Sequence, residues 1–194
     1  MRNRNGGLTF RSRRAKLSRS IIYEILTWFF AIALAVFVAF VCVWAFGIRT
    51  AVIGPSMEPT LYNGQEIIMN RVQYLMSAPK RNDVIVFRPR GDESAHFYVK
   101  RVIGLPGETI QIKQGRVYID NELFLEDVVP VTNDPGIAQE EIVLSVDEYF
   151  VMGDNRDNSE DSRSANIGNV NRNMIEGKAW YHLEYGKESA GRIH

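Results

Sequence analysis

The stretch Gly54-Pro55-Ser56-Met57-Glu58-Pro59-Thr60-Leu61 lies a few residues after a long apolar run and well ahead of a lysine in a second apolar run. Proline fixes φ and glycine adopts conformations that other residues avoid, so we expect this segment to hold one backbone shape. A serine in such a turn is either an ordinary turn residue or a candidate nucleophile. Its own neighbours do not separate these alternatives, so the rest of the chain has to.

The apolar run before this turn predicts a transmembrane helix. Between Ile25 and Phe46 the only polar side chain is Thr27, and a helix of this length spans roughly 33 Å, enough to cross the hydrocarbon core. A cleaved signal peptide is the alternative, and Ala45-Phe46-Gly47 has small residues at a suitable spacing, but the apolar core of a signal peptide is usually only about 7–15 residues long. We therefore predict an uncleaved anchor over residues 21–47.

The charges on the two sides of this anchor are unequal. Residues 1–20 carry seven basic side chains and no acid, whereas residues 48–194 carry 16 basic and 22 acidic side chains. A basic tail directly before an apolar run indicates a cytoplasmic N-terminus, which places residues 48–194 on the extracytoplasmic face of a cell membrane. A nucleic-acid-binding arm is the alternative for such a tail. We expect contact with a lipid bilayer and none with nucleic acid.

The cysteine and histidine content does not suggest a metal site. The single cysteine, Cys42, lies in the apolar run, so an intrachain disulfide and a cysteine cluster are both excluded. His96, His182 and His194 are scattered and lack the spacing of metal ligands. We expect neither a metal nor another cofactor.

Beyond the anchor the chain has the pattern of a mainly antiparallel β domain over residues 48–194. Short β-branched or aromatic runs are bounded by turn residues, and no βαβ alternation occurs. Alternating residues on both sides of Gln114-Gly115 predict a hairpin. A short helix is predicted over Gln73–Ser77 and a loop over Val128–Glu141. The predicted strands are Gln65–Val72, Asp83–Arg88, Phe97–Ile103, Thr109–Lys113, Arg116–Asp120, Tyr149–Met152 and Lys178–Glu184.

One predicted strand carries a candidate general base. Because alternate residues of a strand face opposite sides, Lys100 shares a face with Tyr98 and Val102. Such a lysine is either a surface residue with its amine in water or a desolvated amine. An ordinary lysine has a pKa of about 10.4, and burial lowers it. A neutral Lys100 within reach of Ser56 would be a general base that needs no histidine.

The last distinctive stretch is rich in charges and hydroxyl groups. Met152–Arg163 alternates carboxylates, guanidinium groups, Asn and Ser over a dozen residues. It predicts either a solvated loop or a self-bonded network that orients a site. We refer to it as the charged loop.

Together these stretches resemble the bacterial type I signal peptidase family. Four segments occur in the family's order and spacing, after a membrane anchor, and the similarity covers the anchor and nearly all of residues 48–194. They are GPSMEPTL (54–61), RNDVIVFRP (81–89), FYVKRVIGLPGE (97–108) and GDNRDNSEDSR (153–163). The short segment between Glu108 and Asp147 resembles the compact, Gram-positive-like members.

The resemblance implies a role for each matching residue. Ser56 would be the nucleophile, with its backbone N–H in the oxyanion hole, and Lys100 would be the general base. Ser159 would hydrogen-bond the lysine amine. Some members add a serine hydroxyl two residues before the nucleophile, where this chain has Gly54, so the second oxyanion donor stays open. Salt-bridged support would come from Asp154, Arg101, Asp161 and Arg163.

The resemblance also implies a substrate class. Family members cut secretory precursors after small residues in an Ala-x-Ala pattern, and Val52, Leu61 and Val99 would line the shallow apolar pockets, unless they are plain core residues. We expect a monomer that acts on precursor proteins. A self-cleaving repressor-type Ser–Lys protease and a catalytically silent peptide-binding module are the alternatives.

Overall fold

The computed structural model of the protein describes residues 19–46, 48–89, 95–125, 132–186 and 188–193. The chain divides into two compact units, Met1–Val41 and Cys42–His194.

Helix α1 (Arg19–Phe46) accounts for the predicted anchor. The helix begins at Arg19, two residues before the predicted anchor of residues 21–47 and six before the apolar run at Ile25. An apolar run predicts the segment that suits a bilayer core and does not determine the first residue of the helix. The hydroxyl of Thr27 donates to the carbonyl of Tyr23 at 2.8 Å, so this polar group is satisfied within the helix. Arg19–Trp44 is long and apolar enough to span a membrane.

Twelve strands follow within the described residues. In chain order they are β1 (Ile48–Ala51), β2 (Glu66–Asn70), β3 (Val84–Phe87), β4 (Tyr98–Gly104), β5 (Thr109–Lys113), β6 (Arg116–Ile119), β7 (Glu122–Leu123), β8 (Ile142–Val143), β9 (Glu148–Met152), β10 (Val170–Asn171), β11 (Ile175–His182) and β12 (Gly191–Arg192). The larger sheet has the order β1-β2-β11-β3-β4-β9-β10, with β12 beside β11, and the smaller sheet has the order β7-β6-β5-β8. Every pairing is antiparallel, which confirms the predicted fold class.

The predicted hairpin is confirmed in the smaller sheet. Strands β5 and β6 pair from Lys113↔Arg116 outward. The two residues between them, Gln114 and Gly115, have φ values of 50° and 76°. Positive φ at both central positions is the requirement of a two-residue turn whose twist matches the strands.

Most other predicted elements are also present, with shifted ends. The short helix α2 covers Gln73–Met76, and β11 begins at Ile175 rather than Lys178. Of the predicted loop Val128–Glu141, residues 128–131 lie outside the described residues, and Gly136–Gln139 form a 3₁₀ turn. The structure adds β1 and the two-residue strands β7, β8, β10 and β12, which are too short to show an alternating pattern.

Strand β4 is the element on which the three hydrophobic clusters of the domain meet. Val99 packs in one cluster with Met57 and Leu61. Val102 belongs to a second cluster and Ile103 to a third. Lys100 and Arg101 therefore extend from a strand whose backbone is fixed by sheet hydrogen bonds and by packing.

Gly104, at the end of β4, lies where the packing leaves no room for a side chain. A Cβ there would lie 2.7 Å from Ile110 Cδ1 and 2.8 Å from Leu144 Cδ1. Gly104→Ala should lower the free energy of unfolding by about 1–3 kcal/mol through overpacking, measured for the full chain in detergent micelles. Ile110→Val removes one clashing methyl, so the double variant should lose less than the sum of the two single changes. Strictly additive losses would contradict this packing.

Candidate active site

Ser56 and Lys100 meet in the structure although 44 positions separate them. Lys100 Nζ lies 2.5 Å from Ser56 Oγ, in hydrogen-bond contact. Lys100 is 4% exposed and Ser56 is 9% exposed. The alternative of a surface lysine with its amine in water does not agree with this burial. The pair is a hydroxyl group in contact with a shielded amine.

The turn that carries Ser56, residues 54–61, is fixed at both ends, and we refer to it as the serine turn. Gly54 has a φ of 83°, which favours glycine. The N–H of Glu58 donates to the carbonyl of Pro55 at 3.1 Å, and the N–H of Leu61 donates to the carbonyl of Met57 at 2.9 Å. The side chains of Met57 and Leu61 are fully buried in the core. Ser56 thus sits between a constrained backbone and two hydrophobic anchors.

The amine of Lys100 is easier to deprotonate than that of an ordinary lysine. Burial lowers the pKa of Lys100 from 10.5 to about 8. The negative charges of Asp161 and Glu160 act in the opposite direction and limit the fall in this pKa. Desolvation therefore outweighs the surrounding carboxylates.

Asp154 forms the first supporting ion pair. Arg101 Nε donates to Asp154 Oδ1 at 2.8 Å and Arg101 Nη2 donates to Oδ2 at 2.7 Å, a bidentate contact between two buried side chains. The hydroxyl of Thr60 donates to the same Oδ2 at 2.6 Å. Because Thr60 belongs to the serine turn, this ion pair connects β4, the charged loop and the segment that carries Ser56.

Asp161 forms the second supporting ion pair. Arg163 Nε donates to Asp161 Oδ1 and Arg163 Nη2 to Oδ2, both at 2.8 Å. The N–H of Gly153 and the hydroxyl of Ser159 also donate to Oδ2, at 3.0 and 2.7 Å. The structure thus brings Ser159 to Asp161. The hydrogen bond that the resemblance implies between Ser159 and the amine of Lys100 is not among the contacts of the described residues.

Asn155 and Gly153 connect the charged loop to the segment that carries Ser56, although no role was predicted for either residue from the sequence. The backbone N–H of Asn155 donates to the carbonyl of Ser56 at 3.0 Å, and its side-chain amide donates to the carbonyl of Pro55 at 3.2 Å. At Gly153, an added Cβ would lie 2.4 Å from the carbonyl oxygen of Ser56 and 2.2 Å from Ser159 Oγ. The only available signal was that both lie in a motif segment beside Asp154.

A cleft of about 490 Å³ opens beside the pair. Of the three predicted pocket residues, Val99 lines this cleft, whereas Val52 and Leu61 do not. All three belong to one buried hydrophobic cluster. The remaining walls of the cleft are Ile53, Pro55, Ser56, Pro89, Ala95, His96, Phe97, Tyr98, Lys100, Asn158 and Glu160. The cleft can therefore present a peptide to Ser56 along a mainly apolar surface. Across the described ranges, no three His, Cys, Asp or Glu side chains are grouped so that they could hold a metal ion.

The Asp161–Arg163 pair should make stability depend on acid pH. Burial raises the pKa of Asp161, but the hydrogen bonds and charge of Arg163 outweigh burial, so the pKa lies below its ordinary value. The resulting stabilisation is present above the unfolded-state pKa of about 3.9 and is lost as the pH falls through the lower folded-state pKa. Asp161→Asn should cost about 3–5 kcal/mol of unfolding free energy at pH 7 because it leaves Arg163 buried without a counter-charge.

The measurement is the free energy of unfolding of both proteins from pH 7 downward. The gap between wild type and Asp161→Asn should begin to narrow below about pH 4, where this carboxylate takes up a proton in the unfolded chain, and should close as the pH falls through the lower folded-state pKa. Glu141→Gln, at an exposed carboxylate, is the matched control and should show a small gap throughout. A gap of constant size for Asp161→Asn would show that its charge is not what stabilises the fold.

Comparison with known proteins identifies the family of this chain. Residues 25–183 match the family described as signal peptidase, peptidase S26. The chain is 35% identical to signal peptidase I P of Bacillus subtilis subsp. natto over 79% of this chain and 86% of that protein. It is 34% identical to a probable signal peptidase I-2 of Synechocystis over 70% of this chain and 65% of that protein.

A further relative and one solved structure carry the same name. Identity to a signal peptidase I of Leptolyngbya laminosa is 37%, over 71% of each chain. A crystal structure of a signal peptidase I from Enterococcus faecalis V583 is 29% identical, with a TM-score of 0.41, and covers 53% of this chain and 97% of that one. From the extent of the family match and the identity to the Bacillus enzyme, the chain belongs to the signal peptidase family, peptidase S26.

Proposed function

We propose that this chain is a membrane-anchored endopeptidase that uses Ser56 and Lys100 as a Ser–Lys dyad to remove signal peptides from secretory precursors. The family cleaves signal peptides, and the relatives are serine proteases of the hydrolase class. The observation that carries the assignment of the dyad is the 2.5 Å contact between Lys100 Nζ and Ser56 Oγ at a lysine that is 4% exposed.

In the first step the neutral amine of Lys100 takes the proton of the Ser56 hydroxyl as Ser56 Oγ attacks the scissile carbonyl carbon. The bond between that carbon and the leaving nitrogen then breaks, and Lys100 gives the proton to the leaving amine. The mature N-terminus departs and the signal peptide stays bound to Ser56 as an ester. A water molecule, deprotonated by Lys100, hydrolyses the ester and restores the serine.

The lowered pKa of Lys100 has a large effect on this step. With a pKa of about 8, about a tenth of the molecules carry a neutral Lys100 at pH 7. With the ordinary value of 10.5 that fraction would be only about three in ten thousand. Burial therefore increases the neutral form of Lys100 at pH 7 by roughly 300-fold.

The negative oxygen of the tetrahedral intermediate needs hydrogen-bond donors. In the described part of the chain the backbone N–H of Ser56 donates to no other group, so it is free to serve as one donor. The N–H of Gly54 is already bonded to the side chain of Asn63. We therefore assign the first donor to Ser56 and leave Gly54 out of the oxyanion hole.

The cleft supports a preference for apolar side chains next to the cut bond. Ile53, Phe97 and Val99 give it an apolar surface within reach of Ser56. This is compatible with precursors that carry Ala-x-Ala, which is the pattern implied by the resemblance. No cofactor enters the proposed chemistry, because a neutral amine and a hydroxyl suffice for it.

The anchor supports a location on the membrane. A helix over Arg19–Phe46 following a basic tail fits a cytoplasmic N-terminus and a catalytic domain, residues 48–194, on the extracytoplasmic face. Enzyme and precursor would then share one bilayer, which raises their effective concentration. We propose that the chain acts as a monomer.

Removing either member of the dyad should abolish cleavage. Ser56→Ala and Lys100→Ala should each lose all detectable cleavage of a precursor in detergent micelles, because one lacks the nucleophile and the other lacks the base. The exposed Ser145→Ala and Lys113→Ala are matched controls and should cleave at the wild-type rate. Cleavage retained by Ser56→Ala or Lys100→Ala would contradict the dyad, and precursor binding without turnover by the wild type would favour a peptide-binding module.

The pH profile of cleavage should follow the protonation of Lys100. Since only the neutral amine accepts the serine proton, kcat/KM should rise with pH through an apparent pKa of about 8. Glu160→Gln removes a negative charge that favours the protonated amine, so the same limb should move to lower pH. Glu141→Gln is the control and should leave it in place. An unchanged limb in Glu160→Gln, or a wild-type limb near 10, would contradict this electrostatic assignment.

A further inference from the structure

We propose that Asn63 is a positioning residue of the peptidase reaction, which holds the backbone of Gly54 so that Ser56 stays at Lys100. The inference rests on the proposed function. Its first observation is that the N–H of Gly54 donates to Asn63 Oδ1 at 2.9 Å. A Cβ built on Gly54 would meet no atom within 4 Å, so packing around that Cβ position does not restrain this residue.

The contact extends a short backbone ladder at the base of the serine turn. The N–H of Val52 donates to the carbonyl of Gln65 at 2.9 Å, and the N–H of Gly64 donates to the carbonyl of Val52 at 2.8 Å. The side-chain oxygen of Asn63 then takes the place of a backbone carbonyl and adds one more hydrogen bond, to Gly54. Since Pro55 has no N–H, this is the last backbone donor before Ser56.

Asn63 is held on its other side by the chain beyond β11. The hydroxyl of Tyr185 donates to the carbonyl of Asn63 at 2.7 Å. The rings of Tyr62 and Tyr185 stack with their centroids 6.2 Å apart and their planes 7° from parallel. Tyr185 lies beyond the residues that match the family, which end at residue 183. The restraint on the serine turn therefore includes a residue outside the matched segment.

A buried amide fixes the same corner. Gln65 is fully buried, and its Oε1 accepts from the N–H of Tyr62 at 3.0 Å. Its Nε2 donates to the carbonyl of Leu183 at 3.2 Å and lies 3.0 Å from His182 Nδ1. Tyr62 to Gln65 and His182 to Tyr185 thus form one hydrogen-bonded unit, and Asn63 connects that unit to Gly54.

This arrangement predicts a specific kinetic signature. The hydrogen bond between Asn63 and Gly54 holds the turn that carries Ser56, whereas Lys100 is held separately in β4. Loss of this hydrogen bond should therefore displace Ser56 without changing the pKa of Lys100. Small displacements of reacting groups lower the rate of the chemical step more than they weaken binding. The change should therefore fall on kcat.

The test measures kcat, KM and the pH profile of precursor cleavage by the full chain in detergent micelles. Asn63→Ala should lower kcat about tenfold, with KM within about twofold of wild type and the limb near pH 8 unmoved. Asn63→Asp keeps an acceptor oxygen and should restore kcat to within about threefold of wild type. Asn173→Ala, at an exposed asparagine in a turn elsewhere, is the matched control and should not change kcat.

Tyr185→Phe provides a second variant in the same unit. It removes the hydroxyl that donates to the carbonyl of Asn63 and should lower kcat by a few-fold. The double variant Asn63→Ala/Tyr185→Phe should be no slower than Asn63→Ala alone, because both changes act through the same contact. Unchanged kcat in Asn63→Ala, or failure of Asn63→Asp to restore it, would overturn the inference while wild-type cleavage still requires Ser56. Wild-type cleavage that survives Ser56→Ala would overturn the proposed function instead.

Discussion

The site depends on burying the amine of Lys100, which forms no ion pair among the residues that the structure describes. Two unit charges about 4 Å apart attract by about 4 kcal/mol at an effective dielectric constant of 20, which is about three units of pKa. A carboxylate in contact with Lys100 would therefore cancel the fall from 10.5 to about 8. In the described part of the chain the buried acids nearest the site, Asp154 and Asp161, are instead held by Arg101 and Arg163. Both carboxylates are thus paired with arginines rather than with the lysine, and the positive charge of Arg163 also lowers the pKa of Lys100.

The same contacts explain how segments far apart in sequence reach one place. In the larger sheet β4 lies between β3 and β9, with Arg101 opposite Met152, so the charged loop starts beside the strand that carries Lys100. Residues 54–61, which form the serine turn, do not belong to any strand and are therefore not held in place by a sheet. The turn is joined to the loop through Thr60 and Asp154 and through Asn155 and the carbonyls of Pro55 and Ser56. The Arg101–Asp154 ion pair therefore joins β4, the charged loop and the serine turn through hydrogen bonds, in addition to balancing a buried charge.

The sequence predicted what local patterns and recurring motifs encode. Apolar length predicted α1, β-branched and aromatic runs bounded by turn residues predicted β4 and β9, and alternation on both sides of Gln114-Gly115 predicted the β5–β6 hairpin. The family resemblance paired Ser56 with Lys100, which no local pattern could do. Partners of side-chain hydrogen bonds separated by more than 90 residues, such as Thr60 with Asp154, depend on the finished packing and escaped prediction. So did the bond of Ser159 to Asp161, because a hydroxyl can choose among several nearby acceptors.

Ser56 and Lys100 are fixed by different means, and this determines where the site is sensitive. Lys100 is held by a central strand with hydrogen-bonded neighbours on both sides and hydrophobic clusters around it. Ser56 is held by a turn that belongs to no strand. Met57 and Leu61 anchor this turn in the core, and single hydrogen bonds of Thr60, Asn63 and Asn155 join it to its surroundings. A central strand distributes the loss of one hydrogen bond over many others, whereas a turn joined by single side-chain hydrogen bonds does not. Single substitutions that spare the fold should therefore misplace the nucleophile more readily than the base.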